Sequence, residues 1–373
     1  MGSVGDWLVG GQRLFMSHSH WMPVSDMTDG ARKKVIDEVL AKIRPLPEEE
    51  RAIVALAEEV MAKCGEEGRR LGATFQPVLV GSVSKGTANK GADIDVFLRF
   101  PLDVPLEKME KVALAVGKAV IPDGRCWYAQ HPYVKGMYKG SEVEIVPCFD
   151  VVPDGDGLKK MSPVDRTPHH TRYIMEHLPV ALRDDVRLFK QFLKGIGVYG
   201  AEIRIQGFAG YLVELVVMRY GGFEKTLEAI ATQWRRGTRL AMDDVQIGRA
   251  PVFDSALTFI DPVDVTRNVA SALSEHNMML LIEASGDFLK DPTPRYFFPT
   301  PFRQMTKQEL ETALARINGM MMGVDIPVPD MVDDIIYSQL QKAEKAIAKK
   351  CGEHGFLVLR SDFDVREEGA GGR

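Results

Sequence analysis

Residues 75–80 and 93–100 form two short apolar runs on either side of a Gly81-Ser82-Val83-Ser84-Lys85-Gly86-Thr87 turn, and the second run alternates aliphatics with the carboxylates of Asp93 and Asp95. A period of two is the signature of a strand. It places Asp93 and Asp95 on one face with Cα atoms about 6.6 Å apart. Further on, Glu142-Val143-Glu144-Ile145-Val146-Pro147 alternates in the same way, so Glu144 can join that face across a hairpin. Glu142 shares the face, and spacing alone does not choose between them. Three packed carboxylates repel one another. Mg²⁺ relieves that repulsion, because it takes oxygen ligands and keeps waters that substrate phosphates can replace. Taken alone, Asp-x-Asp is more often a solvated strand face. Here the pair follows Ser82 by eleven residues, and a Gly-Ser turn that ends a buried strand offers backbone N–H groups to a phosphate. Ser82 and Lys85 add a hydroxyl and a cation, although an ordinary strand-to-helix turn reads the same.

Around this pair the periodicity predicts amphipathic helices over 30–43 and 47–70, the second opening on Pro47 with Glu48, Glu49 and Glu50 in its first turn. A helix over 105–120 follows, then strands over 126–137 and 142–149 joined by a Lys139-Gly140 turn. From 184 to 236 the apolar period becomes 3.6 and glycines separate successive helices. Beyond Pro292, a helix over 306–317, a strand over 320–326, a helix over 332–350 and a strand over 356–362 suggest a small α/β module. The fold class expected is multidomain α+β: a mobile N-terminal extension over 1–27, a mixed-sheet palm over 28–150, a helical central domain over 151–290, and a C-terminal α/β module over 291–373.

Composition narrows the function classes. A net charge of −5, from 47 Lys+Arg against 52 Asp+Glu, does not suit a protein that coats nucleic acid without specificity, so any such contact is a local patch. Four cysteines without a CxxC pair indicate neither a zinc ribbon nor a disulfide framework, and a reducing cytoplasm suits them. No apolar stretch approaches the ~20 residues of a membrane span, and residues 1–27 do not read as a signal peptide. The adjacent His169-His170 pair lacks further ligands nearby in sequence and is not read as zinc-binding. Met320-Met321-Met322 reads as core packing.

Gly81-Ser82 followed by Asp93-Ile94-Asp95 resembles the DNA polymerase β-like nucleotidyltransferases. More narrowly, His131-Pro132-Tyr133-Val134, Val143-Glu144-Ile145-Val146-Pro147-Cys148 and Val164-Asp165-Arg166-Thr167-Pro168-His169-His170-Thr171 are similar to the archaeal, class I, CCA-adding tRNA nucleotidyltransferases. The likeness continues through Phe189-Lys190-Gln191-Phe192-Leu193-Lys194, Val198-Tyr199-Gly200-Ala201-Glu202, Asp261-Pro262-Val263-Asp264 and Arg267-Asn268-Val269-Ala270, and it covers roughly residues 30–362.

The resemblance implies template-free addition of C, C and A to the tRNA 3′ end from CTP and ATP by two-metal nucleotidyl transfer. Asp93, Asp95 and Glu144 would be the catalytic Mg²⁺ ligands. Gly81, Ser82, Lys85, Lys190 and Tyr199 would meet the triphosphate, and Thr167 and His170 would lie near ribose and phosphates. Arg267 matches an arginine that reads the base, with Asp264 beside it in the motif; a salt bridge between the two is the ordinary alternative. Without the likeness, Lys190 and Lys194 read as a solvated basic helix edge. Trp234-Arg235-Arg236-Gly237-Thr238-Arg239 is the densest basic and aromatic stretch. Its Trp234, Arg235, Arg236 and Arg239 are candidates for tRNA contact, with a solvated helix end equally compatible.

Three departures stand out. Asp93 replaces the family's frequent Glu, Glu144 its usual Asp, and Ala88-Asn89 lacks an aromatic often found there. The family also continues for several dozen residues past residues 357–361, so weaker tRNA anchoring is expected of a chain ending at Arg373. An oligoadenylate- or cyclic-dinucleotide-forming enzyme shares the Gly-Ser and Asp-x-Asp pieces, and an RNA-binding protein on a decayed transferase fold is a non-catalytic alternative. The sequence leaves the oligomeric state open, a homodimer included.

Overall fold

The alternating runs pair into one five-stranded sheet. In the computed structural model, which describes residues 25–128, 130–152, 162–300, 305–327, 331, 333–363 and 365, strands β1 (Gln76–Val80), β2 (Ile94–Phe100), β3 (Arg125–Tyr128), β4 (Pro132–Tyr138) and β5 (Ser141–Phe149) are ordered β1-β2-β5-β4-β3. Only β2 and β5 run parallel. The segment expected as one strand over 126–137 is two, β3 and β4, paired with each other. Lys139 and Gly140 join β4 to β5 with φ of 47° and 86°, the left-handed pair that two-residue hairpins favour.

Alternation separates the two faces of this sheet. Ile94, Val96 and Leu98 of β2 and Val143 and Ile145 of β5 pack with Ala57, Val60 and Cys64 of α2 (Pro47–Arg70) and Met109, Ala113 and Val116 of α4 (Leu106–Val120). The residues between them, Phe97 of β2 and Val146 and Cys148 of β5, pack on the opposite side. Asp95 and Glu144 belong to that second face by the same alternation. A five-residue helix, α3 (Gly81–Lys85), connects β1 to the loop before β2.

A second core forms among α5 (Thr167–His177), α6 (Arg183–Gly195), α7 (Gly210–Tyr220), α8 (Phe223–Gln233) and α10 (Glu275–Lys290). Phe192, Phe223, Phe288 and Phe297 pack edge to face or tilted at its centre, with ring centroids 5.5–6.0 Å apart. Two short parallel strands, β6 (Thr238–Leu240) and β7 (Leu257–Phe259), lie in the region expected to be helical, with α9 (Asp244–Arg249) between them. Three residues are too few to show a period.

Two expectations change. Helix α1 (Ser25–Ile43) includes residues 25–27 of the expected extension, and the remainder of that extension lies outside the described residues. Its Val35, Val39 and Ile43 join the helical core and not the palm. Toward the C-terminus, α11 (Lys307–Arg316) and α12 (Asp333–Glu353) form, but the strands expected over 320–326 and 356–362 do not. An apolar run becomes a strand only where another strand supplies hydrogen-bond partners, and among the described residues none reaches these two. Met320, Met321 and Met322 are accordingly 70–74 % exposed and not core.

Candidate active site

The parallel register sets the two glutamates apart. Asp95 on β2 lies level with Glu144 on β5, and Lys135 on β4 lies level with Glu144 from the other side. Glu142 pairs instead with Met137 beside the hairpin turn. Asp93 sits one residue before β2. Burial, and then the charges of Asp93 and Glu144, push the Asp95 carboxyl up to about 7, against the opposing pull of Lys85 and Lys135. A face that drives one carboxylate toward neutrality is one that a divalent cation stabilises, so the donor set fits a metal. The described side chains do not close into a ready cluster of three ligands. The Lys135 ammonium bridges Glu142 and Glu144, at 2.9 Å from the latter, and metal binding through Glu144 requires that ion pair to exchange. Burial opposes protonation of Lys135, yet its hydrogen bonds to both glutamates hold its pKa above the ordinary value.

The turn after β1 is shaped around Asp95. Gly81 has φ +73°, and a Cβ there would stand 1.9 Å from Asp95 Oδ2, so the carboxylate rests against a bare Cα. Ser82 follows as the second residue of α3. Lys85 is buried and donates to Glu214 Oε2 on α7 at 2.7 Å, while Thr87 Oγ1 donates to Glu214 Oε1 at 2.9 Å. From α6, Lys190 Nζ donates to the Thr87 carbonyl at 3.2 Å. Burial lowers its ammonium to about 8. Lys190 is therefore not on a solvated basic edge. Tyr199 is pushed above the ordinary phenol value by burial and then by the negative charges of Glu214, Asp93 and Asp95, and the Lys194 ammonium lies 5.2 Å from its ring centroid.

A third group gathers on one buried carboxylate. Thr167 begins α5, and three residues on His170 donates from Nε2 to Asp261 Oδ2 at 2.8 Å and stacks on Tyr211, with centroids 3.9 Å apart. Burial lowers the His170 pKa against the opposing pull of Asp261, to which its bonded Nε2 donates. The Tyr211 hydroxyl donates to Asp261 Oδ1 at 3.2 Å, and Arg267 Nη1 lies 3.4 Å from Asp261 Oδ2. The salt bridge of Arg267 is thus made to Asp261 and not to Asp264. Asp264 is held by Arg166 at 3.2 Å and by Thr266.

Three family models match in chain order: a nucleotidyltransferase domain over residues 68–180, the second domain of tRNA nucleotidyltransferase over 184–298, and the C-terminal domain of the CCA-adding enzyme over 318–370. The CCA-adding enzyme of Halobacterium salinarum is 40 % identical over 336 residues, covering 90 % of this chain and 72 % of the relative. The chain belongs to the CCA-adding enzyme family. The enzyme of Methanothermobacter thermautotrophicus is 39 % identical over 330 residues, 87 % of this chain and 71 % of its own length. Among solved structures, the ATP-bound CdnC of E. coli MS115-1 (TM-score 0.54, 18 % identity, 73 % of this chain and 98 % of that one) shares the nucleotidyltransferase fold. So does a cytoplasmic RNA terminal U-transferase (TM-score 0.55, 13 % identity, 73 % and 99 %).

For this family member the expected tRNA-contact stretch needs correction at two positions. Trp234 is buried, stacks against Phe208 and donates its indole N–H to Tyr220 Oη at 2.9 Å. The indole fills core volume and does not meet an RNA end. Arg239 Nη2 turns to the Ile247 and Pro251 carbonyls at 3.3 and 3.1 Å, where it satisfies chain ends around α9. Arg235 and Arg236 remain exposed, and Arg236 pairs with Glu275 at 3.0 Å. Sequence reasoning missed Lys135, Tyr211, Glu214 and Asp261. A visible signal existed for Glu214, a lone carboxylate inside the apolar helix Gly210–Tyr220, since such a charge is retained only with partners.

Proposed function

We propose that this enzyme rebuilds the CCA end of tRNA, transferring CMP twice and AMP once from CTP and ATP without a nucleic-acid template and releasing pyrophosphate. The observation that carries the site assignment is the level pairing of Asp95 with Glu144 beneath Gly81, in a chain whose family is that of the CCA-adding enzymes. Asp93, Asp95 and Glu144 would hold Mg²⁺. Bound there, Mg²⁺ supplies acidification of the RNA 3′-hydroxyl and neutralisation of the departing pyrophosphate.

The chain's own residues bind and orient. Gly81 lets Asp95 approach the loop, and Ser82, Lys85, Lys190 and Tyr199 receive the triphosphate. Thr167 and His170 face the ribose and phosphates. Arg267, rich in donors and without acceptors, suits the ring acceptors of cytosine and adenine, whereas uracil and guanine carry an N–H at the corresponding edge. Exposed Arg235 and Arg236 are offered to tRNA phosphate. No helix among the described residues is long and apolar enough to cross a membrane, and we place the reaction in the cytoplasm, where tRNA and nucleotides meet.

The test uses purified protein, Mg²⁺ and a tRNA ending before CCA. CTP alone should extend it by two residues, CTP with ATP by three, and UTP or GTP by none. Polymerisation of ATP without tRNA would instead favour the oligoadenylate reading.

A further inference from the structure

The carboxylate of Asp261 is fully buried and accepts from four donors supplied by three parts of the chain. His170 Nε2 arrives from α5 at 2.8 Å and the Tyr211 hydroxyl from α7 at 3.2 Å. The Val263 N–H and Arg267 Nη1, at 2.9 and 3.4 Å, come from the loop after β7. Two of these donors, His170 and Arg267, are the residues proposed above for the phosphate and base ends of one nucleotide. Arg267 is half-buried, and with Nη1 directed at Asp261 its remaining N–H donors are available to a ligand. A guanidinium on four flexible torsions discriminates bases only if its fork is fixed, because cytosine and uracil differ at one ring atom in whether they accept or donate. The Tyr211 ring, stacked 13° from coplanar on His170, fixes the imidazole from its other side.

We infer that Asp261 is a positioning residue for nucleotide selection: by holding Arg267 and His170 on one carboxylate, it sets where the base-reading donors stand relative to the phosphate end. The inference rests on the proposed role of Arg267 and adds to it the residue through which that role is enforced. Asp261 touches no substrate in this account.

The experiment measures kcat/KM for CTP and ATP, and for UTP and GTP, on tRNA lacking CCA, in wild type, Asp261→Asn, Arg267→Ala and the double variant. Arg267→Ala should lower discrimination against UTP and GTP by tenfold or more. Asp261→Asn should lower it similarly, and the double variant should lose no more than either single one, since both act through one guanidinium. If Arg267→Ala loses discrimination while Asp261→Asn keeps it, the inference is overturned and Asp261 only packs the loop. If Arg267→Ala keeps discrimination, the base-reading assignment falls and takes the inference with it. Should Asp261→Asn fail to fold, Tyr211→Phe serves: it keeps the stacked ring, removes one donor to Asp261, and should lower discrimination two- to threefold. Unchanged discrimination in folded Tyr211→Phe would count against the inference.

Discussion

Replacing Gly81 by alanine tests the loop and the acid face together. The new Cβ would stand 1.9 Å from Asp95 Oδ2, where ordinary contact begins at 3.4 Å, so the carboxylate must retreat by about 1.5 Å or the loop must lift. The substituted residue also keeps φ +73°, a left-handed conformation that costs an L-residue about 1–2 kcal/mol. That strain is a stability effect. Displacement of a metal-ligating oxygen is a catalytic one, and misplacement by about 1 Å is enough to lower rates ~100-fold. Gly91→Ala separates the two, because Gly91 has φ +72° with nothing within 4 Å of the added Cβ. Both variants should lose about 1–2 kcal/mol in urea denaturation. Only Gly81→Ala should lose about two orders of magnitude or more in the single-turnover rate of CMP addition. Gly81→Ala with the activity of Gly91→Ala would refute the argument that Asp95 needs a bare Cα beside it.

Other expectations follow from the buried charges. Lys190 should lose its proton as pH rises through about 8, so KM for CTP should climb above that pH, and Lys190→Arg should hold KM flat if the larger side chain fits. Because the folded value lies below the ordinary 10.5, the unfolded chain holds more protons between about 8 and 10.5, and the Lys190 contribution makes stability rise with pH across that window. Glu214→Ala leaves Lys85 buried without its carboxylate and should cost about 3–5 kcal/mol in urea denaturation, more than Glu214→Gln, which keeps an acceptor for Thr87. Trp234→Phe removes the hydrogen bond to Tyr220 and should lower stability by about 1 kcal/mol while leaving tRNA affinity in a filter-binding assay unchanged.

Periodicity carried the palm far, because both faces of its sheet are specified. Ile94, Val96 and Leu98 alternate with Asp95 and Phe97, and the same rule sorts Val143 and Ile145 from Glu144. The choice of Glu144 over Glu142 was not legible, since both share a face and only pairing of β2 with β5 sets them apart. The C-terminal strands failed for a related reason: residues 356–362 have strand character, but a ladder needs a partner that a single run does not reveal. Helix α1 was found by its stripe, yet nothing in Val35, Val39 and Ile43 says which of two cores the stripe will meet. Trp234 misled because an aromatic beside arginines reads the same whether it stacks on a base or on Phe208. Asp261 and Glu214 were missed because their partners lie far along the chain, His170 at 91 residues and Lys85 at 129.

Asp95 and Glu144, and not Glu142, are proposed to form the acid face on which a divalent cation supports transfer. The most direct test is the single-turnover rate of CMP addition to tRNA lacking CCA, titrated with Mg²⁺, in wild type, Glu144→Gln and Glu142→Gln. Glu144→Gln should lose about 100-fold or more at saturating Mg²⁺, ~2.7 kcal/mol of barrier, and Glu142→Gln should keep a rate within about threefold of wild type. Equal losses in the two variants, or the larger loss in Glu142→Gln, would contradict that assignment.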